Sequence, residues 1–254
     1  MSGDTILGET VLSAHGVGMK FDEFRALTNV TLDIRKGNLT AIIGPNGAGK
    51  STFFNILSGV FPPSEGRIAF EGCDITGRRQ HEFARMGIAK SFQITSVFPQ
   101  LTVAENVRIA VQAMKIRYDI WTPRRRMIEI AAKAAELLDL VGLHRHRERH
   151  AENLAHGEQR ALEVAMALAS DPRLLLLDEP TAGMSPEETM TMMGLITKLA
   201  EDRTVVLVEH KMKLVMGISD RIIVLHHGEL LADGAPDDIR ANDEVRRVYL
   251  GQTG

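Results

Sequence analysis

The sequence predicts an α/β fold with a parallel sheet whose strands are buried on both faces. Short, continuous apolar runs alternate along the chain with segments of helical periodicity. Strands that are buried on both faces have this appearance, because no face needs polar residues. The runs that indicate parallel strands are Leu39 to Ile43, Leu174 to Leu177, Val205 to Val208 and Ile222 to Leu225. A glycine-rich sequence directly after the first run is the second observation, since it gives the strand–loop–helix order of an α/β unit.

The N-terminal part indicates antiparallel strands instead. Val11 to Lys20 and Leu27 to Ile34 precede the first parallel run, and Arg67 to Phe70 can add a further strand. An N-terminal antiparallel β subdomain is therefore predicted beside the parallel sheet. We expect residues 11–254 to form a single domain, preceded by a flexible segment at residues 1–10.

The segment between Leu101 and Ala151 is rich in charge and has helical periodicity. The spacing predicts that one face of a helix contains Ala131, Ala134, Ala135 and Leu138. We therefore expect an inserted α-helical subdomain over about residues 101–170.

Composition and charge exclude several classes of protein. The chain has 254 residues, with 30 Lys and Arg against 33 Asp and Glu, and a net charge of −3. No block of like charge stands at either end, so nucleic acid is not expected as a partner. A single cysteine, Cys73, rules out an internal disulfide framework and fits a reducing compartment. Since neither a leader nor a run of membrane-spanning length is present, we expect a cytoplasmic protein whose spanning partners, if it works at a membrane, are other chains.

The glycine-rich sequence from Gly44 to Ser51 fits GxxxxGK[ST], the P-loop pattern for nucleotide phosphates. Its glycines let successive backbone N–H groups close around the phosphates, Lys50 supplies a point charge for the β- and γ-phosphate oxygens, and the Ser51 hydroxyl can bind Mg²⁺. The structural alternative is a glycine-rich turn before a helix. We predict a P-loop NTPase core. The residues expected to contact the nucleotide are Pro45, Asn46, Gly47, Ala48, Gly49, Lys50, Ser51 and Thr52.

The apolar run that starts at Leu174 ends in two acids, Asp178 and Glu179. This is the form of a second nucleotide motif, Walker B. Successive side chains of a strand point to opposite sides, so the two carboxylates can address different points near a γ-phosphate. We assign Asp178 to Mg²⁺ and Glu179 to the attacking water, as a general base. A strand followed by a solvated acidic turn is the alternative.

The order of these motifs resembles that of the ATP-binding subunits of ABC transporters, over nearly the whole chain. The resemblance implies the ABC ATPase fold, with ATP and Mg²⁺ as ligands. It also implies that Phe21 stacks on adenine, although a core aromatic is the alternative. Gln93 matches the glutamine that contacts Mg²⁺ or the water and reports on the membrane partner. His210, after the third apolar run, matches the histidine that contacts the γ-phosphate, and its alternative is a satisfied histidine at a strand end.

The sequence from Leu154 to Arg160 stands where this family has its LSGGQ signature. Helical spacing follows it, so Gly157 is expected near a helix N-terminus, where free N–H groups attract phosphate. The resemblance implies that Gly157 and Glu158 contact ATP held by the opposite subunit. Three family residues are replaced, by Ala155, His156 and Glu158. The contact must therefore rely more on backbone N–H groups.

Two further departures from the family pattern occur at Ser185 and Lys211, where aspartate is usual. Both would alter contacts across a dimer interface. Ser185 also begins a capping box that ends at Glu188, with proline at the first helical position.

The altered signature, the sequence from Leu214 to Arg221 and the ending from Val248 to Gly251 resemble the ATPases of branched-chain (hydrophobic) amino acid importers. The resemblance implies two ATPase subunits, identical or different, beneath two membrane permeases, with a separate substrate-binding protein. The chain would then be peripheral, at the cytoplasmic face of the inner membrane, and would energise uptake of branched-chain or other amino acids, urea or amides. Alternatives are the ATPase of a lipid or lipopolysaccharide exporter and a soluble nucleotide switch.

Overall fold

The computed structural model of the protein describes residues 9–91, 97–115 and 124–250. The strands are β1 (Thr10–Phe21), β2 (Phe24–Arg35), β3 (Leu39–Ile43), β4 (Glu65–Phe70), β5 (Cys73–Asp74), β6 (Ile88–Lys90), β7 (Leu174–Asp178), β8 (Thr204–Val208), β9 (Arg221–His226) and β10 (Glu229–Gly234). The helices are α1 (Lys50–Leu57), α2 (Gln80–Met86), α3 (Val103–Lys115), α4 (Arg124–Leu140), α5 (His156–Leu168), α6 (Pro186–Ala200), α7 (Met212–Ile218), α8 (Pro236–Ala241) and α9 (Asp243–Val245). A π-helical turn follows at Arg246–Leu250.

The larger sheet has six strands in the order β10–β9–β3–β8–β7–β6. Its strands from β9 to β6 are parallel, and β10 pairs antiparallel with β9. Every residue of β3, β7 and β8 is buried. The predicted parallel sheet is thus confirmed. Because β3, β7 and β8 are neighbours and parallel, the segments that follow their carboxyl ends meet at one edge of the sheet.

Two hydrophobic clusters flank this sheet, because successive strand residues point to opposite faces. Along β7, Leu175 and Leu177 belong to the cluster that contains the helices α3 to α6. Leu174 and Leu176 belong to the other cluster, which contains α1 and the smaller sheet. The position of α1 directly beneath the sheet fixes the loop that precedes it.

The smaller sheet is antiparallel, in the order β2–β1–β4–β5. The N-terminal antiparallel strands are therefore present as predicted, with the short β5 in addition. Of the segment at residues 1–10 that we expect to be flexible, residues 1–8 lie outside the described residues, whereas Thr10 already pairs with Arg35.

The helices α3, α4 and α5 lie between β6 and β7 in the chain and pack against one another. The face of α4 that we predicted is wrong in part, since Ala131 and Ala135 are exposed. The buried residues of α4 are Ile130, Ala134, Leu137 and Leu138. Burying isoleucine and leucine removes more apolar area from water than burying alanine, so the larger side chains decide the rotation of the helix. Within the described ranges, no helix has the length and apolar character needed to cross a membrane.

Candidate nucleotide site

The carboxyl edge of the larger sheet carries an open cleft of about 260 Å³. Residues 46–52 of the P-loop form one wall, and Glu179 and His210 form another. Phe24 and Ala26 of β2 complete the lining. Residues predicted from three separate motifs therefore meet in one cleft.

Lys50 begins α1 and is 5% exposed. Its Nζ donates hydrogen bonds to the carbonyl oxygens of Gly44, at 2.8 Å, and Pro45, at 3.0 Å. Burial lowers the pKa of Lys50, while the nearby Glu179 and Asp178 act in the opposite direction. The ammonium group is thus folded back over the loop, where phosphate oxygens can replace the loop carbonyls as acceptors.

The backbone of the P-loop requires glycine at position 49. Gly49 has a φ of +95°, and a Cβ at this position would lie 2.9 Å from the Ala26 carbonyl oxygen. Any other residue would therefore be strained and would push β2 away from the loop. The turn between β9 and β10 supports the loop from behind, since the Gly228 N–H donates to the Ala48 carbonyl at 3.1 Å.

Asp178 ends β7 and its side chain is 1% exposed. Neither carboxylate oxygen has a hydrogen-bond donor among the described residues. The side chain forms an ion pair with Lys90, whose Nζ lies 3.9 Å from Oδ2. Burial raises the pKa of Asp178, and Lys90 opposes this. A buried carboxylate without hydrogen bonds is unfavourable unless a cation completes it. Together with the exposed Ser51 hydroxyl at the start of α1, this oxygen donor set fits Mg²⁺.

Glu179 follows Asp178 but leaves the strand in the left-handed region, with a φ of +46°. A non-glycine residue in this region is uncommon, and residues held in such conformations cluster at active sites. Its Oε1 lies 2.5 Å from Nε2 of His210, within hydrogen-bonding distance. Both side chains remain accessible from the cleft, at 28% and 43% exposure. The Glu179 carboxylate can therefore accept a proton from a water molecule in the cleft while the His210 imidazole orients the carboxylate.

Glu209 was not predicted as a site residue. It directly follows β8 and is 2% exposed. Its Oε1 accepts hydrogen bonds from the Thr181 N–H, at 3.1 Å, and the Thr181 hydroxyl, at 2.6 Å, and its Oε2 accepts from the His210 N–H at 3.1 Å. The carboxylate thus joins the loop after Glu179 to the backbone of His210. An acid at the end of a buried strand, as in the predicted Asp178, is the signal that identifies it.

Among the described residues predicted to contact the nucleotide, Phe21 and Pro45 do not line the cleft. Gln93 lies outside the described residues. The ring of Phe21 packs edge-on against Phe61 with centroids 5.8 Å apart. Phe24, three positions later, lines the cleft and is 66% exposed. An exposed aromatic beside a P-loop is a candidate for stacking on a base, so Phe24 joins Phe21 as a candidate.

The signature segment lies elsewhere on the chain. Gly157 and Glu158 line a separate cavity of about 450 Å³, between α5 and α6. Gly157 stands in the first turn of α5, as predicted, and its N–H donates to Oε1 of Glu188 at 3.0 Å. Oε2 of Glu158 accepts from the Ala155 N–H at 2.9 Å, and its Oε1 lies 3.2 Å from Nε2 of His146. The signature and the P-loop of one chain therefore do not share a cleft.

Ser185 and Lys211, which stand where the family usually has aspartate, both make contacts within the chain. The Ser185 hydroxyl accepts from the Glu188 N–H at 3.2 Å, and a Glu188 oxygen accepts from the Ser185 N–H at 3.0 Å, which is the predicted capping box. The Nζ of Lys211 donates to the Thr181 carbonyl and the Thr189 hydroxyl, each at 3.3 Å. Contacts of these residues across a dimer interface stay a prediction.

Comparison with known families agrees with this site. The family model described as "ABC transporter" matches residues 27–182. The model described as "Branched-chain amino acid ATP-binding cassette transporter" matches residues 229–253.

Two similar relatives carry branched-chain amino acid names. The "high-affinity branched-chain amino acid transport ATP-binding protein LivG" of Escherichia coli (strain K12) is 41% identical over 97% of this chain and 100% of its own length. The protein of the same description from Pseudomonas aeruginosa, BraF, is 40% identical over the same shares.

Solved structures show the same architecture. The ADP conformation of MJ1267, an ATP-binding cassette of an ABC transporter, superposes with a TM-score of 0.84 at 28% identity, over 96% of this chain and 99% of that one. The dimeric structure of MJ0796, a bacterial ABC transporter cassette, has a TM-score of 0.75 at 29% identity, over 89% and 98%. The resemblance drawn from the motifs is thus confirmed, and the chain belongs to the ABC transporter family as an ATP-binding cassette subunit.

Proposed function

We propose that the chain hydrolyses ATP to energise an importer of branched-chain amino acids. The observation that carries the proposal is the meeting of Lys50, Glu179 and His210 in one cleft, next along the chain to the buried Asp178, whose carboxylate oxygens have no hydrogen-bond donor among the described residues. The cargo is supported by the names of LivG and BraF, whose full length this chain matches. Other amino acids, urea and amides remain within the proposed cargo class.

The P-loop would hold the phosphates of ATP. The backbone N–H groups of residues 46–52 surround the phosphates, and Lys50 exchanges its bonds to the loop carbonyls for bonds to the β- and γ-phosphate oxygens. Mg²⁺, held by Asp178 and the Ser51 hydroxyl with Gln93 as a further candidate ligand, would neutralise phosphate charge. Phe21 or Phe24 would stack on the adenine ring.

Hydrolysis would depend on Glu179 and His210. The Glu179 carboxylate accepts a proton from the attacking water, whose oxygen forms a bond to the γ-phosphorus while the bond to the ADP oxygen breaks. His210 would fix the carboxylate through Nε2 and, from the wall of the cleft, would contact the γ-phosphate. Glu209 accepts hydrogen bonds from Thr181, in the loop after Glu179, and from the His210 N–H. It would therefore hold His210 in a fixed position relative to that loop.

The complete site would require two subunits. Since Gly157 and Glu158 lie outside the P-loop cleft of their own chain, we propose that they complete the cleft of a second ATPase subunit, identical or different. The dimeric cassette structure of MJ0796 supports this arrangement. Closing on the partner's ATP requires the Gly157 N–H to leave Glu188 for the γ-phosphate. We further propose that permease subunits hold the dimer at the cytoplasmic face of the inner membrane and that a substrate-binding protein delivers the cargo.

The proposal is tested with the complex recovered in mild detergent from native membranes by a tag on this chain. We expect two permeases and a second ATPase, and Mg-ATP hydrolysis that rises when the binding protein and leucine, isoleucine or valine are added. Glu179→Gln should lower the hydrolysis rate by about a hundredfold or more while ATP still binds. The matched control Glu229→Gln removes the same charge from an exposed residue and should hydrolyse ATP at the parent rate.

Three outcomes would contradict parts of the proposal. Near-parent hydrolysis by Glu179→Gln would remove the general base. Recovery of an active ATPase without any membrane chain would favour a soluble nucleotide switch. Recovery of lipid-exporting membrane chains would replace import with export.

A further inference from the structure

The C-terminal turn at Arg246–Leu250 brings a tyrosine to the first residue of the P-loop. The Tyr249 hydroxyl accepts a hydrogen bond from the Gly44 N–H at 3.1 Å and donates one to the Gly44 carbonyl oxygen at 3.1 Å. A hydroxyl is both a donor and an acceptor, so one group can serve both polar groups of this residue. Gly44 is buried, and a Cβ there would lie 2.2 Å from the Leu225 carbonyl oxygen. The backbone at Gly44 is therefore confined by the Tyr249 hydroxyl on one side and by the Leu225 carbonyl on the other.

The same carbonyl oxygen is used by the lysine of the nucleotide site. Lys50 Nζ donates to Gly44 O at 2.8 Å, so this oxygen accepts from both Lys50 and Tyr249. When Lys50 turns to the phosphates, the Gly44 oxygen loses one of these two donors. Burial raises the pKa of Tyr249, so the hydroxyl stays protonated and remains a donor. Leaving a buried carbonyl without any hydrogen-bond donor is unfavourable in free energy. Because Tyr249 still donates to the Gly44 oxygen after Lys50 has turned to the phosphates, nucleotide binding does not leave this carbonyl without a donor.

We propose that Tyr249 is a positioning residue of the nucleotide site, whose hydroxyl holds Gly44 in place and keeps its carbonyl satisfied when Lys50 moves to the phosphates. The inference rests on the proposed function, in which Lys50 contacts the phosphates of ATP. It gives the C-terminal turn a part in nucleotide binding, although none of the nucleotide motifs lies in it.

The test is Tyr249→Phe in the full chain, with the Kd for Mg-ATP measured by titration and Tm measured without nucleotide. The substitution keeps the ring and removes the hydroxyl. We expect Kd to rise about tenfold, which corresponds to about 1.4 kcal/mol. In the transporter complex, KM for ATP should rise by a similar factor with kcat little changed. The matched control is Thr197→Val, which removes a hydroxyl that donates to the Met193 carbonyl on α6, at 3.0 Å, away from the cleft.

The outcomes separate the inference from the proposed function. A tenfold rise in Kd for Tyr249→Phe, with the Kd of Thr197→Val unchanged, supports the positioning role. A Kd within twofold of the parent value overturns it, whatever happens to Tm, because the hydroxyl then only fastens the C-terminal turn. An equal rise in both variants also overturns it. If the parent chain itself fails to bind Mg-ATP, the proposed function fails first.

Discussion

Replacing Glu209 with glutamine should loosen the connection between the two loops that carry Glu179 and His210. The carboxylate is buried and accepts three hydrogen bonds, from the Thr181 N–H, the Thr181 hydroxyl and the His210 N–H. The substitution keeps the size of the side chain and changes one acceptor oxygen into a donor. It therefore tests the hydrogen bonds without creating a cavity.

The magnitude follows from the geometry. In the Glu209→Gln variant the side-chain amide oxygen can keep both bonds to Thr181, but the amide NH₂ group then faces the His210 N–H, donor against donor. One hydrogen bond to a charged group is lost, which costs about 1.5–3 kcal/mol. A domain of this size loses about 2–4 °C of Tm per kcal/mol, so Tm should fall by about 3–12 °C. Because the His210 backbone loses its anchor, kcat for ATP should fall by about tenfold or more.

Thermal unfolding and steady-state hydrolysis of the transporter complex measure the two effects. Glu229→Gln provides the control for the change of charge, since Glu229 is exposed. Thr181→Val removes only the hydroxyl bond and should have a smaller effect on kcat than Glu209→Gln. A Glu209→Gln protein with the Tm and kcat of the Glu229→Gln control would refute the reasoning, because the three bonds would then contribute nothing to the site.

Further predictions concern binding and dimer formation. Lys50→Ala should raise the Kd for Mg-ATP by about tenfold or more, measured by titration, and an unchanged Kd would remove the lysine from the phosphate site. Glu188→Ala removes the side-chain acceptor of the Gly157 N–H and should increase ATP-dependent dimerisation in sedimentation experiments, whereas Glu187→Ala, with the same loss of charge, should leave it at the parent value. Of Phe24→Ala and Phe21→Ala, the variant that weakens binding of ATP but not of inorganic triphosphate identifies the adenine contact, and an effect of neither would exclude stacking by both.

Four strands of the larger sheet, β3, β7, β8 and β9, could be predicted from the sequence because they are buried on both faces, whereas β6 and the partly exposed β10 were not predicted. A run such as Leu39 to Ile43 has no position that must face water, and its short length and the glycine that follows favour a central strand over a buried helix. The P-loop and the acids after β7 could be predicted for a related reason, since phosphate and Mg²⁺ chemistry restrict which residues can stand there. Their meeting in one cleft then follows from the parallel order of the strands.

Contacts between distant segments could not be predicted in this way. The hydroxyl of Tyr249 reaches Gly44 across 205 positions of the chain, and no local pattern encodes that pairing. The rotation of α4 was misjudged because alanine fits either a buried or an exposed face, so its spacing carries little information. The residue that stacks on adenine could not be identified from the sequence either, since Phe21 and Phe24 are both exposed aromatics that precede the P-loop.

Lys211, which stands where the family usually has aspartate, also makes contacts with a distant segment of the chain. An aspartate there could not make these contacts, because a carboxylate has no hydrogen to donate to the Thr181 carbonyl. Lys211 instead donates to that carbonyl, while Glu209 accepts from the N–H and the hydroxyl of the same threonine. Thr181 is thus held on both sides by residues of opposite charge that flank His210. Movement of the loop after Glu179 is therefore coupled to His210 by hydrogen bonds that lie within one chain.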